Sequence, residues 1–131
     1  MRERLRLALI AHDGRKGDML DWAIWNRELL ARYQLWATRH TGEMVRDALG
    51  VKMNLLLPGP EGGDAQVAAM IARRQLDLVV FLWDPLVTQP HDSDVRSLIR
   101  LAVVHNVPIA CNRRSADLII TSPLLETEPA A

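Results

Sequence analysis

The sequence predicts a doubly wound α/β fold, in which a parallel five-stranded sheet carries helices on both faces. Three observations lead to this class. Short apolar runs alternate about five times with segments of helical spacing, which is the order of a parallel sheet with crossover helices. The apolar runs are nearly continuous, as in strands buried on both faces. The length of 131 residues suits one domain with its own core.

Each element follows from a local pattern. Apolar runs predict five strands, at residues 5–11, 34–38, 51–57, 77–83 and 108–111. Helical spacing predicts five helices, at residues 18–33, 41–49, 64–75, 93–105 and 115–121. Gly50 has the position of a helix stop. We expect residues 1–125 to form a single domain and residues 126–131 to be a frayed tail.

Composition excludes several classes of function. Sixteen basic and sixteen acidic residues balance, so no global field points to nucleic acid or to a membrane surface. No His/Cys cluster has zinc spacing, and no Walker loop or Gly-x-Gly-x-x-Gly fingerprint is present, so no metal or cofactor is predicted. The lone cysteine, Cys111, and the lack of a long apolar segment after the charged N-terminus predict a cytoplasmic protein.

Polar residues collect where the predicted strands end. These exits are residues 12–13, 38–42, 58–64, 84–94 and 112–115, and they hold three of the four histidines. In open parallel sheets, ligands bind outside the carboxyl ends of the strands. The pattern therefore predicts a ligand site at one edge of the sheet.

Asp64 stands where the glycine-rich segment 58–64 passes into a helix. Glycines there let an anion approach backbone N–H groups. The carboxylate has two interpretations, a helix cap, which spacing alone favours, or a general base that faces a bound ligand. The two are only partly compatible, because a carboxylate that accepts amide hydrogen bonds is a weaker base.

Other exits allow a structural and a functional interpretation. The pair His12-Asp13 is either a helix cap with a surface histidine or a ligand-facing pair whose neighbour Lys16 reaches a phosphate. His91 is either a solvated loop residue or a group that polarises a carbonyl and moves a proton. The segment 38–42 is either a phosphate turn or a plain turn in which Thr41 caps the next helix. For the segment 112–115, spacing alone favours a solvated basic turn over an anion contact.

Taken together, these segments resemble the methylglyoxal synthase family, in the family's order over about residues 5–120. The matching residues are Ala11-His12-Asp13 with Lys16, Ala37-Thr38 with Thr41-Gly42, Gly59-Pro60 with Gly62-Gly63-Asp64, Asp84-Pro85-Leu86, Pro90-His91-Asp92 with Asp94-Val95, and Asn112 with Ala116-Asp117. The resemblance implies flavodoxin-like layering and a homohexamer. It implies a carbon–oxygen lyase that converts dihydroxyacetone phosphate, a small phosphorylated substrate, to methylglyoxal and inorganic phosphate without a cofactor.

The resemblance also implies roles for individual residues. Asp64 corresponds to the general base, and His91 to the group that hydrogen-bonds the carbonyl side of the enediolate. The supporting carboxylates are Asp13, Asp84 and Asp94. The substrate- and phosphate-binding residues are His12, Lys16, Thr38, Arg39, His40, Thr41 and Gly59.

The phosphate turn departs from the family pattern. The family's Thr-Gly-Thr-Thr-Gly is here Thr38-Arg39-His40-Thr41-Gly42, and Pro58 replaces the serine of Ser-Gly-Pro. Two alternatives to the synthase therefore stay open. One is a related lyase or isomerase with altered anion recognition, and the other is a non-catalytic regulatory module that binds a phosphate ligand.

Overall fold

A computed structural model describes residues 4–86 and 95–126 of the chain. One parallel sheet has the strand order β3-β2-β1-β4-β5. The strands are β1 (Arg6–Ala11), β2 (Gln34–Ala37), β3 (Asn54–Leu55), β4 (Leu78–Leu82) and β5 (Ile109–Ala110). The α-helices are α1 (Lys16–Trp25), α2 (Arg27–Leu30), α3 (Arg39–Leu49), α4 (Gly63–Ala72), α5 (Val95–His105) and α6 (Arg113–Ile120). The predicted fold class is confirmed.

Alternation along β1 divides the core between the two faces of the sheet. Leu7 and Leu9 pack with buried residues of α1, α3 and α6. Ala8 and Ile10 point the other way and pack with buried residues of α4 and α5. Because helices cover both faces, the central strands are almost entirely apolar, which is why they form continuous apolar runs in the sequence.

The predicted helix over residues 18–33 is divided in two at Asn26. The Asn26 side chain is buried and donates from Nδ2 to the Trp22 carbonyl at 3.0 Å and to Asp117 Oδ1 at 3.3 Å. An asparagine amide competes with the backbone for carbonyl groups, which favours a break at that position. The contact also joins α1 to α6.

Strand β3 is shorter than the apolar run 51–57 predicts. It pairs only with β2, through Trp36 with Asn54 and Ala37 with Leu55, and so lies at an edge of the sheet. Val51 and Met53 pack against the core without joining the ladder. The apolar run 51–57 therefore predicts burial correctly, but it overpredicts the length of the paired strand.

Helices α3 and α6, like α1, begin two residues earlier than predicted. Helix α3 has Thr38 at its N-cap position, so the interpretation of Thr41 as the cap is wrong. Helix α6 begins at Arg113, where the Asn112 side chain accepts a hydrogen bond from the Ser115 N–H at 2.8 Å. Both helices thus start directly at a strand exit.

The carboxyl-terminal residues described form a 3₁₀ turn, Pro123–Glu126. The remainder of the predicted frayed tail, residues 127–131, lies outside the described residues. Within residues 4–86 and 95–126, no helix combines the length and the apolar character needed to cross a membrane.

Candidate active site

The exits of β1 and β4 are tied together through His12. Its backbone N–H donates to the Leu82 carbonyl at 3.1 Å, and its Nδ1 accepts a hydrogen bond from the Asp84 N–H at 3.0 Å. Since Nδ1 accepts, the ring proton of this tautomer lies on Nε2 and points an N–H donor the other way. The ring packs edge-on against Phe81, with centroids 5.3 Å apart, which fixes its plane.

Gly14 lies against the carboxylate of Asp84. A Cβ added at position 14 would collide with a carboxylate oxygen of Asp84, so a side chain there would displace that group. Asp84 also accepts a hydrogen bond from the Leu86 N–H at 3.0 Å. The sequence reasoning did not single out Gly14, although a glycine directly after His12-Asp13 was a usable signal.

Lys16 holds Asp13 in its ionised form. The Lys16 ammonium donates to the Ala11 carbonyl at 2.9 Å and to Asp13 Oδ1 at 3.0 Å. This hydrogen bond and the lysine charge lower the pKa of Asp13 below its ordinary value, with smaller contributions from the charges of His40 and His12. The third N–H of the ammonium remains for an anionic ligand.

The start of α3 presents hydrogen-bond donors that have no partner among the described residues. Thr38 and Thr41 are 5% and 1% exposed. Within residues 4–86 and 95–126, the Thr38 side chain makes no capping hydrogen bond and the buried hydroxyl of Thr41 has no partner. An unpaired buried hydroxyl costs roughly 1–3 kcal/mol. The N–H groups of Thr38 and Arg39 donate to the Leu9 and Leu57 carbonyls at 3.3 and 3.4 Å. The two hydroxyls, the remaining first-turn N–H groups of α3 and the positive end of the helix dipole form a site suited to an anion.

The start of α4 is pressed against the ends of β2 and β3. A Cβ added at Gly63 would collide with the Leu57 carbonyl and would lie 2.9 Å from the Thr38 methyl. The Leu57 N–H donates to Gln66 Oε1 at 2.8 Å, which fastens the same junction from the helix side. Gln66 was also missed by the sequence reasoning, since a glutamine in a helix carries no distinctive signal.

Asp64 is the second residue of α4 and is half-buried. Gly62 occupies the N-cap position with φ of 115°, so the helix-cap interpretation of Asp64 is wrong. Among the described residues, the Asp64 carboxylate makes no hydrogen bond and no ion pair. Its oxygen lone pairs are therefore available to take a proton.

The remaining predicted site residues fall into three groups. His40 and Arg39 lie in the first turn of α3, where His40 Nδ1 is 3.7 Å from Glu43 Oε1. Gly59 begins a 3₁₀ turn with open space on its side-chain face. His91 and Asp94 lie outside the described residues. Within residues 4–86 and 95–126, no cluster of His, Cys, Asp or Glu is arranged to hold a metal ion.

A family model described as the MGS-like domain matches residues 18–111, which is more than half of the chain. The chain belongs to the MGS-like domain family. The segment 12–16 precedes the matched span, and the hydrogen bond between His12 and Asp84 joins it to that span.

Curated relatives in the MGS-like family are similar over most of the chain. A protein named methylglyoxal synthase from Leptospira interrogans serogroup Icterohaemorrhagiae serovar copenhageni is 49% identical over 118 residues, covering 90% of this chain and 80% of the relative. A methylglyoxal synthase of Yersinia pestis (strain Pestoides F) is 46% identical over 125 residues, covering 95% of this chain and 81% of the relative. A crystal structure of methylglyoxal synthase from Elizabethkingia anophelis NUHP1 superposes with a TM-score of 0.91 at 46% identity, covering 97% of this chain and 84% of that one.

Proposed function

We propose that this chain is a methylglyoxal synthase, a carbon–oxygen lyase that converts dihydroxyacetone phosphate to methylglyoxal and inorganic phosphate. The observation that carries the proposal is the carboxylate of Asp64, which is half-buried and has no partner among the described residues. A general base needs a lone pair that no donor already occupies. Relatives at 46–49% identity, each named methylglyoxal synthase, support the same reaction.

The anion site at the start of α3 supports a phosphorylated substrate. A bound phosphate would accept a hydrogen bond from the buried Thr41 hydroxyl, which has no partner in the described part of the chain. The third N–H of Lys16 would add a charge-assisted bond. Thr38 and Gly59 complete the proposed phosphate contacts, and Arg39 and His40 alter the charge of this turn relative to the family pattern.

The proposed reaction begins with proton transfer. Asp64 removes a proton from the hydroxymethyl carbon beside the carbonyl, and the electron pair moves to form the enediolate. By family resemblance, His91 hydrogen-bonds the carbonyl oxygen as it gains charge, with Asp94 orienting it. Asp13, held as an anion by Lys16, and Asp84, anchored beside His12, set the surrounding charge.

Phosphate leaves in the second step. If the carbon–oxygen bond to phosphate lies perpendicular to the enediolate plane, the electron pair of the enediolate expels inorganic phosphate. The hydroxyl proton leaves with the phosphate, and the resulting enolate takes up a proton on carbon and becomes methylglyoxal. Donors that hold the phosphate away from the plane therefore decide between elimination and simple isomerisation.

We also propose a homo-oligomer, a hexamer by family resemblance, located in the cytoplasm. Large apolar side chains on α1 and α6 support association, since Ile24, Trp25 and Leu118 are 49%, 81% and 63% exposed. The free thiol of Cys111 supports a reducing compartment. Light scattering of the protein and of Trp25→Glu tests the association, and a monomeric parent protein would contradict it.

The reaction is tested with purified protein and dihydroxyacetone phosphate, following phosphate release and dicarbonyl formation together. We expect equal amounts of both products from the parent protein. Asp64→Asn should lower turnover by about 10²–10⁴-fold, because a general base contributes an effect of that size. Glu61→Gln is the matched control, since it neutralises an exposed carboxylate in the preceding turn and should retain activity.

Three other results would point elsewhere. Full activity of Asp64→Asn would remove the assigned base. Exchange of the substrate's carbon-bound hydrogen with solvent, without phosphate release, would favour an isomerase with altered anion recognition. Binding of dihydroxyacetone phosphate with neither exchange nor release would favour a regulatory module.

A further inference from the structure

A cavity of about 310 Å³ opens at the carboxyl edge of the sheet, between the exits of β4 and β5. Its walls come from Trp83 and Pro85 after β4, Cys111 and Arg113 at the end of β5, and Arg15 before α1. This volume is at the small end of the range found for ligand pockets.

The cavity is separate from the site around Asp64. None of its lining residues belongs to the anion site at the start of α3 or to α4. Helices α1 and α6, which flank the cavity, pack on the face of the sheet opposite to that covered by α4. A ligand here would therefore occupy different space from the proposed substrate.

The polar part of the cavity favours an anion. Arg15 and Arg113 both line it, against the single carboxylate of Asp18, so its side chains carry a net positive charge. Arg15 is paired with Asp18 at 3.3 Å, whereas the Arg113 guanidinium has no hydrogen bond or ion pair among the described residues. Guanidinium groups bind carboxylate and phosphate oxygens in a bidentate geometry.

The other part of the cavity is apolar. Leu82, Trp83 and Pro85 form one wall, and the half-buried Cys111 lies beside them. Burial raises the pKa of the Cys111 thiol, so this group adds no negative charge near neutral pH. A bare inorganic ion would leave this wall without a contact, whereas a ligand with a short carbon body would cover it.

We propose that this cavity binds a small organic anion, with carboxylate or phosphate monoester oxygens at Arg15 and Arg113 and a short apolar body against Trp83 and Pro85. The inference goes beyond the proposed reaction and does not depend on it. Trp83 and Pro85 flank Asp84, and Arg15 follows Gly14, which touches the Asp84 carboxylate. The cavity thus adjoins the supporting part of the other site.

The test uses ¹⁹F NMR of the full chain labelled with 5-fluorotryptophan, which gives one resonance for each of four tryptophans. Trp83→Phe assigns the resonance of Trp83. The probes are n-propyl phosphate and n-butyrate. Inorganic phosphate is the control without an apolar body, and n-propanol is the control without an anionic group. We expect a saturable shift of the Trp83 resonance with at least one of the two organic anions, and the stronger probe identifies the headgroup.

Two charge-matched variants locate the anion. Arg113→Gln should weaken the binding of the effective probe by about tenfold, the effect of losing one charge-assisted contact. Arg114→Gln removes a neighbouring arginine that does not line the cavity, and it should leave binding unchanged. Circular dichroism checks that both variants fold. If Arg113→Gln does not fold, Arg15→Gln supplies a second variant of the cavity.

Several results would overturn the proposal. One is the absence of any Trp83 shift with either organic anion, or a shift confined to the other tryptophans. Another is equal weakening by Arg113→Gln and Arg114→Gln, which would indicate a general charge effect. Saturation by inorganic phosphate at the same concentration as n-propyl phosphate would show that the apolar wall takes no part.

Discussion

Two aspartates at the carboxyl edge of the sheet have opposite surroundings. Asp13 accepts a hydrogen bond from Lys16 at 3.0 Å, and its pKa is lowered by that contact. Asp64 is half-buried and has no partner among the described residues. The same side chain is therefore a fixed anion in one place and an available base in the other. Hydrogen-bond partners, more than residue type, decide the role of a carboxylate.

The largest expected effect tests the two aspartates directly. Asp64→Asn should lower kcat by at least tenfold more than Asp13→Asn does, because only Asp64 has lone pairs free to accept the substrate proton. Steady-state kinetics with dihydroxyacetone phosphate measures the ratio. Equal losses of kcat in the two variants would break the distinction between fixed anion and base.

The position of Asp64 is tested by Gly63→Ala. The added methyl would collide with the Leu57 carbonyl, so α4 must move away from the ends of β2 and β3. We expect kcat/KM to fall by about 100-fold, the effect of misplacing a reacting group by about 1 Å. Thermal unfolding should show a loss of about 1–3 kcal/mol from overpacking.

Gly17→Ala is the control for that change. Position 17 is also a helical glycine, but its side-chain face is open within 4 Å. The substitution should stabilise α1 by roughly 0.5–1 kcal/mol and leave kcat unchanged. If both alanine variants lost activity equally, the close contact at Gly63 would have no special part in placing the base.

Thr41→Val tests the unpaired hydroxyl in the anion site at the start of α3. Removing a buried hydroxyl without a partner should raise the free energy of unfolding of the ligand-free protein by about 1 kcal/mol. The same change should raise KM about tenfold, because the phosphate loses one donor. Thr121→Val is the control, since the Thr121 hydroxyl donates to the Asp117 carbonyl at 2.7 Å and its loss should not stabilise. A destabilised Thr41→Val would indicate that the hydroxyl is already satisfied.

The smallest expected effect concerns acid stability. Because the pKa of Asp13 is lowered in the folded protein, its stabilising contribution is present above its ordinary value of 3.8 and is lost as pH falls through the folded-state pKa. Asp13→Asn should therefore lower the free energy of unfolding slightly at pH 7 and hardly change it near pH 2. The side chain is 92% exposed, so solvent screening keeps the difference small. Urea unfolding at the two pH values measures it, and a larger loss at pH 2 would reverse the sign and contradict the pairing.

Most of the fold was accessible from the sequence, because buried parallel strands leave continuous apolar runs. The strand exits and the order of the elements followed from these runs. The helix and strand boundaries that were predicted wrongly depend on contacts between residues far apart in the sequence. Asn26, at the break between α1 and α2, bonds to Asp117 of α6, and β3 pairs only with β2 at the edge of the sheet.

The sequence predicts residues for the candidate site but not the interactions that they make. Asp64 stood at a helix start, and spacing alone favoured a cap. The structure places Gly62 at the N-cap and leaves the carboxylate unpaired among the described residues. Likewise, the contact of Gly14 with Asp84 joins residues 70 positions apart in the chain, which no local pattern encodes. The proposed role of Asp64 as a general base came from the resemblance to a family and not from the periodicity of the sequence.

The contact of Gly63 with the Leu57 carbonyl has a consequence for how such a chain diversifies. The proposed base, Asp64, follows a contact of backbone against backbone, which most side-chain substitutions leave intact. The anion site at the start of α3 is formed largely by side chains, and its residues Arg39 and His40 depart from the family pattern. Substrate preference can thus drift by single substitutions at one strand exit, while the proton chemistry at the neighbouring exit is inherited unchanged.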